Sequence, residues 1–286
     1  MTKDAEVTVA ETNNNHVIYK YLRSKKKFPS VWCAGCGIGT ILGALIRAID
    51  RLGLEKDNVA LVSGIGCSGR LPVYVDFNTL HTTHGRALAF ATGLKLARPK
   101  MEVIVIMGDG DALAIGGNHF IHAARRNIDM TAIVINNSIY GMTGGQVSPA
   151  TPTGDIATTA PYGNIEQPFD IARLAEAAGA VFVARSTAYH AMELDKLIEQ
   201  AIVKKGFAVV EAISQCPVSY GKMNLSSSAV DMLRWQKDNT MRVEAWAKLP
   251  PEERAHKISR GVLVNREGVP EYVAEYHKII ERARAT

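Results

Sequence analysis

Apolar residues at Ile38, Ile41, Leu42, Leu45, Ile46 and Ile49 recur at three- and four-residue spacing, which predicts an amphipathic helix from Gly37 to Leu52. Downstream the pattern changes. Four short β-rich runs follow, most of them closed by glycine: NVALVSGIG, MEVIVIMGDG, MTAIVINNSIYG and, later, FAVVEAISQC. Between them lie segments of helical character, GRALAFATGLKLA, NHFIHAARRN and DIARLAEAAG. Strands that are apolar almost throughout, alternating with helices, predict an α/β fold in which helices cover both faces of a parallel sheet. Ligands in such folds sit beyond the carboxyl ends of the strands, where the loops GIGCSGR and GDGDALAIGG begin.

The flanks read differently. Residues 1–30 are polar and predict an N-terminal arm, residues 31–220 carry the α/β pattern, and residues 221–286 predict a charged, helical C-terminal extension broken by LPPEER and NREGVPEY. From Met142 to Phe169 the chain turns to Gly, Thr, Pro and Ser. A stretch of that length without its own helix or strand inside a domain is more often an active-site or partner-binding loop than a linker.

The chain has 286 residues, 47% hydrophobic and 21% charged, with a net charge of +5. That composition is ordinary for a globular protein. The basic residues are scattered; the one compact run, Arg23 to Lys27, is too short to indicate a nucleic-acid partner. No apolar run approaches the ~20 residues of a membrane span, and no secretory signal precedes the first helix, so the expectation is a cytoplasmic chain with no membrane partner. In a reducing compartment its four cysteines, Cys33, Cys36, Cys67 and Cys216, are better read as ligands or redox groups than as disulfides.

Two constellations carry chemistry. Gly108-Asp109-Gly110-Asp111 follows one apolar strand, and Asn136-Asn137 ends the next. The glycines admit close backbone approach, while Asp109 and Asn137 offer hard oxygens of the kind magnesium takes beside a phosphate. The second constellation opens with Cys33-Ala-Gly-Cys36. A CxxC can be a thioredoxin-like dithiol, half of a zinc site, or two ligands of an iron–sulfur cluster. Structural zinc usually shows two close pairs, and here one pair is close; a dithiol leaves Cys67 and Cys216 without a task. A cluster accommodates one close pair plus distant ligands, and Cys216-Pro217 fits a ferredoxin-type ending.

GDG followed by NN resembles the thiamine diphosphate signature. The strings SGIGCSGR, HTTHGRALAFATGLKLA and NNSIYGMTGGQVSPATPTG closely resemble the β subunits of 2-oxoacid:ferredoxin oxidoreductases, from about Phe28 to about Tyr220, and most of all the 2-oxoglutarate enzymes. Many relatives carry Asp where Asn136 stands. The resemblance implies a thiamine diphosphate-binding fold of the diphosphate type and a thiamine-dependent, coenzyme A-coupled, reversible oxidative decarboxylation of a 2-oxoacid, with electrons passing to ferredoxin. It also implies roles at matching positions. Asp109, Asn137 and the carbonyl of Ile139 would hold Mg2+, and Cys33, Cys36, Cys67 and Cys216 would hold one 4Fe–4S cluster. Ile65, Gly66, Cys67, Ser68, Gly110, Asp111, Gly141 and Met142 would line the thiamine diphosphate. His84 is a candidate catalytic residue, and Arg70 a candidate partner for a substrate carboxylate, with pairing to Asp76 or to the partner subunit as its structural alternative. A second thiamine domain is absent from the pattern, so an α subunit would complete the site. Rival readings are a pyruvate or broad-specificity enzyme, a non-redox thiamine carboligase, and a thioredoxin-like or zinc-binding module.

Overall fold

The computed structural model describes residues 17–24 and 28–285. Much of the expected arm, and Lys25 to Lys27 of the basic run, lie outside those residues. Its described part is packed down: Tyr21 is buried, and Arg23 bonds the Tyr74 and Val75 carbonyls through its amide and guanidinium.

One eight-stranded sheet organises the chain. Its strands are β1 (Val59–Ser63), β2 (Asn78–His81), β3 (Glu102–Gly108), β4 (Met130–Asn136), β5 (Phe182–Thr187), β6 (Phe207–Ile213), β7 (Thr240–Arg242) and β8 (Ile258–Asn265). They lie in the order β2-β1-β3-β4-β6-β5-β8-β7. The six strands from β2 to β5 in that order are parallel, and β8 returns antiparallel to β5.

Both sheet faces are buried, which explains the near-continuous apolar runs. Leu61, Ile104, Ile106, Ile133 and Ile135 point to one face, under the helices Ile38–Arg51 and Ala191–Val203. Val62, Val103, Val105, Met107 and Val134 point to the other, under Ala87–Ala97, Gly117–Arg125 and Ile171–Ala178. The last of these helices ends as its sequence dictates. Asp170 caps the Arg173 amide at the start, and Gly179 takes the left-handed φ of 103° at the stop.

Residues 221–286 supply two strands besides the expected helices. The run ISRGVLVN alternates well enough to add β8 to the edge of β5, with a register shift between Val183 and Ala184. Four runs were legible as strands. β2, β5, β7 and β8 were not, because they are short, polar or interrupted: NTLH, FVARST, TMR and ISRGVLVN.

The two helices on the first face are clamped by ions. Asp195, 0% exposed, accepts from Arg47 Nε at 2.7 Å and Arg51 at 3.0 Å, and Arg51 also reaches Glu199 at 2.7 Å. Removing the shared carboxylate strands two cations that are themselves partly solvated, so the cost falls below that of a fully buried pair. Asp195→Ala should therefore destabilise the chain by about 1–3 kcal/mol, seen as a lowered Tm, while Glu199→Ala changes it by under about 1 kcal/mol. Equal losses in the two variants would locate the clamp at the surface instead.

Candidate active site

Register sets the site. Ser63 of β1 pairs with Ile106 of β3, Gly108 of β3 with Ile135 of β4, and Asn136 of β4 with Ile213 of β6. Four strands thus end side by side, and the chain leaves β1 toward β2 on one side and later returns to β3 on the other. That reversal opens a crevice between β1 and β3.

The loops beyond these ends enclose a cavity of about 210 Å³. Its wall holds Ile65, Gly66, Cys67 and Ser68 after β1, His84 after β2, Asp109, Gly110 and Asp111 after β3, and Asn137, Ile139, Gly141 and Met142 after β4. All of the positions assigned to thiamine diphosphate and magnesium therefore share one wall. Arg70 does not line it. It stands one turn away on the 3-10 turn Ser68–Val73, half-buried and without an ion pair among the described residues; Asp76 is taken by Lys56 at 2.9 Å.

Each loop has a local reason for its shape. Asp111 is 2% exposed, and its Oδ1 accepts the Gly85 amide at 2.6 Å and lies 2.8 Å from His84 Nδ1. Its other oxygen presses on Gly64, where a Cβ would come within 2.1 Å, so only glycine fits there. One carboxylate thereby gathers the loops after β1, β2 and β3, and burial raises its pKa. Burial likewise pushes Asp109 up to about 6, against a lowering hydrogen bond from Ser148.

The turn after β4 is strained: Ser138 has a φ of +59°, rare for a residue with a side chain. Asn136 holds it, accepting the Ser138 amide at 3.1 Å on Oδ1. The Asn136 amide donates in turn to Glu211 at 2.9 Å, and Arg185 holds the other Glu211 oxygen at 2.7 Å. An aspartate at 136 would set a second carboxylate against buried Glu211. Asn136 faces this network rather than the cavity, and the substitution leaves Asn137 in the wall.

The cysteines come from three distant segments. Cys36 donates its amide to the Cys33 carbonyl, Trp32 Nε1 bonds the Cys67 carbonyl at 2.8 Å, and Gln215 reaches the Gly35 carbonyl at 3.0 Å. These bonds draw the CxxC loop to the ends of β1 and β6. Burial pushes the Cys36 thiol up to about 12, and the neighbouring Cys216, Cys67 and Cys33 add to the rise. Cys67 is raised by burial, with Cys216 and Cys33 contributing. A Cβ at Gly141 would sit 3.5 Å from Cys216 Sγ and 3.8 Å from Cys67 Sγ, so this cavity-lining glycine lies beside both thiols. Among the described residues, no three His, Cys, Asp or Glu side chains converge tightly enough to hold a single metal ion.

Tyr140 and Ser148 escaped the sequence reading. The Tyr140 ring lies over Gly110, where a Cβ would be 2.2 Å away, and Ser148 bonds Asp109 from within the long loop. Neither has a periodicity or spacing that could have pointed to it. Among the described residues no helix is long and apolar enough to cross a membrane.

The donor set fits the groups that the motifs imply. Hard oxygens of Asp109 and Asn137 line a glycine-rich cradle, in which the Tyr140 ring leaves no room for a Cβ at Gly110, and Gly141 lies beside the Cys67 and Cys216 sulfurs.

Comparison with known proteins agrees. Residues 64–212 match the family described as thiamine pyrophosphate enzyme, C-terminal TPP binding domain. The chain is 49% identical over 270 residues to 2-oxoglutarate synthase subunit KorB of Methanocaldococcus jannaschii, covering 94% of this chain and 99% of that one. It is 57% identical over 222 residues to the KorB subunit of Archaeoglobus fulgidus, covering 78% and 80%. Among solved structures it resembles a 2-oxoglutarate:ferredoxin oxidoreductase from Magnetococcus marinus with 2-oxoglutarate, coenzyme A and succinyl-CoA bound. The TM-score is 0.83 and the identity 34%, covering 96% of this chain and 92% of that one. The chain belongs to the thiamine pyrophosphate enzymes and, within them, to the KorB subunits of 2-oxoglutarate synthase.

Proposed function

We propose that this chain is the β subunit of a 2-oxoglutarate:ferredoxin oxidoreductase, working with an α subunit to convert 2-oxoglutarate and coenzyme A to succinyl-CoA and carbon dioxide. Cys33, Cys36, Cys67 and Cys216 would hold a 4Fe–4S cluster, which would supply a path for the electrons to ferredoxin. One observation carries the reading: Gly141, in the wall of the proposed thiamine cavity, stands beside the thiols of Cys67 and Cys216, and Cys67 itself lines that cavity. An oxidative decarboxylase needs its electron acceptor beside its carbon chemistry, and a non-redox carboligase has no use for it.

Thiamine diphosphate supplies the carbanion chemistry that a 2-oxoacid decarboxylation requires. The chain's residues bind and orient it. Asp109, Asn137 and the Ile139 carbonyl would hold Mg2+, which would offset the charge of the diphosphate, and the backbone of Gly110 and Gly141 would face that anion. Ile65, Gly66, Ser68, Asp111 and Met142 complete the wall. His84, fixed beside Asp111, is the one imidazole on it and is the candidate group for moving a proton near the substrate. Cys36 and Cys67, whose ionisation is opposed by burial and by the neighbouring thiols, suit a polynuclear iron group, whose positive charge would reverse that penalty.

The direct test is substrate-dependent reduction of a viologen dye. The co-expressed αβ complex should reduce it with 2-oxoglutarate and coenzyme A well above the rate with pyruvate, and the purified chain alone should not. Turnover by the chain alone, or none by the complex, would sink the assignment.

Each of Cys33→Ser, Cys36→Ser, Cys67→Ser and Cys216→Ser should lose iron and visible absorbance, because serine oxygen is a poor ligand for soft iron–sulfur coordination. Full iron content in one variant removes that cysteine from the set.

Arg70 has no carboxylate partner among the described residues and stands three residues after Cys67. A guanidinium there suits the distal carboxylate of 2-oxoglutarate, which pyruvate lacks. Arg70→Ile should raise the KM for 2-oxoglutarate roughly ten- to hundred-fold, the loss of a charge-assisted bond of ~1.5–3 kcal/mol, and leave pyruvate less affected. Equal effects on both substrates would return Arg70 to a structural role.

A further inference from the structure

Asp109 has two carboxylate oxygens, and one of them is already taken. Ser148, 2% exposed, donates its hydroxyl to Asp109 Oδ2 at 2.6 Å. It is the one side chain among the described residues that bonds this carboxylate. The Ala150 amide donates to the same hydroxyl oxygen at 3.2 Å, which occupies an acceptor site and leaves the hydroxyl to donate to Asp109.

Three residues on, Thr151 is 0% exposed and makes the companion contact. Its hydroxyl donates to the carbonyl of Ser138 at 2.7 Å and accepts the Ser148 amide at 2.8 Å. Ser138 is the positive-φ residue between Asn137 and Ile139. The turn Ser148-Pro149-Ala150-Thr151 therefore touches both halves of the proposed magnesium site, the carboxylate beyond β3 and the strained turn beyond β4. Asn164 pins it from behind, donating to the Thr151 carbonyl at 2.9 Å. A serine–threonine turn that served only its own loop would keep its hydroxyls within the loop. Here the shortest bond of each hydroxyl leaves it, to Asp109 and to the Ser138 carbonyl, beside a longer contact of 3.4 Å from Thr151 to the Ser148 hydroxyl.

We propose that Ser148 and Thr151 are positioning residues of the metal site, presetting Asp109 and the Asn137–Ile139 turn so that a magnesium ion finds its protein ligands already arranged. Magnesium tolerates little departure from octahedral geometry, so freezing the ligands before binding is worth affinity. The long Gly/Thr/Pro/Ser loop thereby acquires a task at its inner end: it closes over the back of Asp109. The inference rests on the reading of Asp109, Asn137 and Ile139 as magnesium ligands, and its test separates the two.

The measurement is Mn2+ binding, in place of Mg2+, to the co-expressed αβ complex with thiamine diphosphate, followed by electron paramagnetic resonance. Asp109→Asn, Ser148→Ala, Ser148→Thr and Thr151→Val are titrated beside the unchanged protein, with iron content and Tm recorded for each. Ser148→Ala should weaken Mn2+ binding roughly ten- to hundred-fold with iron content retained, as expected when a ligand loses its supporting hydrogen bond. Ser148→Thr, which keeps the hydroxyl, should recover most of that affinity. Thr151→Val, close to isosteric, should also weaken binding. Native Mn2+ affinity in Ser148→Ala, with affinity lost in Asp109→Asn, overturns the positioning role and leaves the metal site standing. Native affinity in Asp109→Asn overturns the metal-site reading itself. If Ser148→Thr lowers the Tm because its methyl does not fit, Thr151→Val decides: undiminished binding there overturns the proposal.

Discussion

Everything at this site depends on four neighbouring parallel strands whose carboxyl ends lie on the same side of the sheet. β1, β3, β4 and β6 are neighbours in the sheet, and their hydrogen-bond register brings Ser63, Gly108, Asn136 and Ile213 to the same edge. Parallel strands can be neighbours only through crossovers, so segments some 150 positions apart, from Gly64 to Cys216, surface beside one another. The reversal between β1 and β3 then leaves a gap that no loop closes, and the ligand crevice follows from it. A slip of one residue in any of these ladders would turn the loop side chains to the opposite face.

Holding loops of that kind takes buried polar groups, and they are arranged so that few stand alone. Asp111 gathers three loops, and Glu211 is shared by Asn136 and Arg185, which also pairs with Asp170. Such groups stabilise little in net terms, since desolvation offsets much of the attraction. What they contribute is a single geometry. The strained Ser138 backbone persists because Asn136 and Thr151 bond it from both sides, through its amide and its carbonyl.

The thiols follow the opposite logic. Cys36 and Cys67 are raised by burial and by their neighbours, so in the absence of a cationic group the protonated thiols are favoured there. The hydrogen bonds from Trp32 and Gln215 to backbone carbonyls hold the loop in place regardless. Scaffold and ionisation are thus separate: the backbone hydrogen bonds fix where the sulfurs sit, and burial with the neighbouring thiols sets the ionisation of Cys36 and Cys67.

Chemistry was legible in the sequence wherever residue type and strand periodicity coincide. GDG and NN follow runs whose apolar content marks them as buried strands. Glycine and asparagine add nothing to a core at such ends, so the cradle and its position could be read directly. The helix over 38–51 and the glycine stop at 179 were local matters of spacing and φ. The cysteine set was legible only as alternatives until the resemblance chose among them, since spacing along the chain says nothing of which segments meet. Tertiary structure alone decided the rest. Tyr140 over Gly110, Ser148 on Asp109, Glu211 behind Asn136 and Lys56 rather than Arg70 on Asp76 are contacts across 20 to 75 residues. No periodic pattern encodes such pairs. They exist because the crossovers of a parallel sheet set distant loops side by side, and only the folded register says which atoms then face each other.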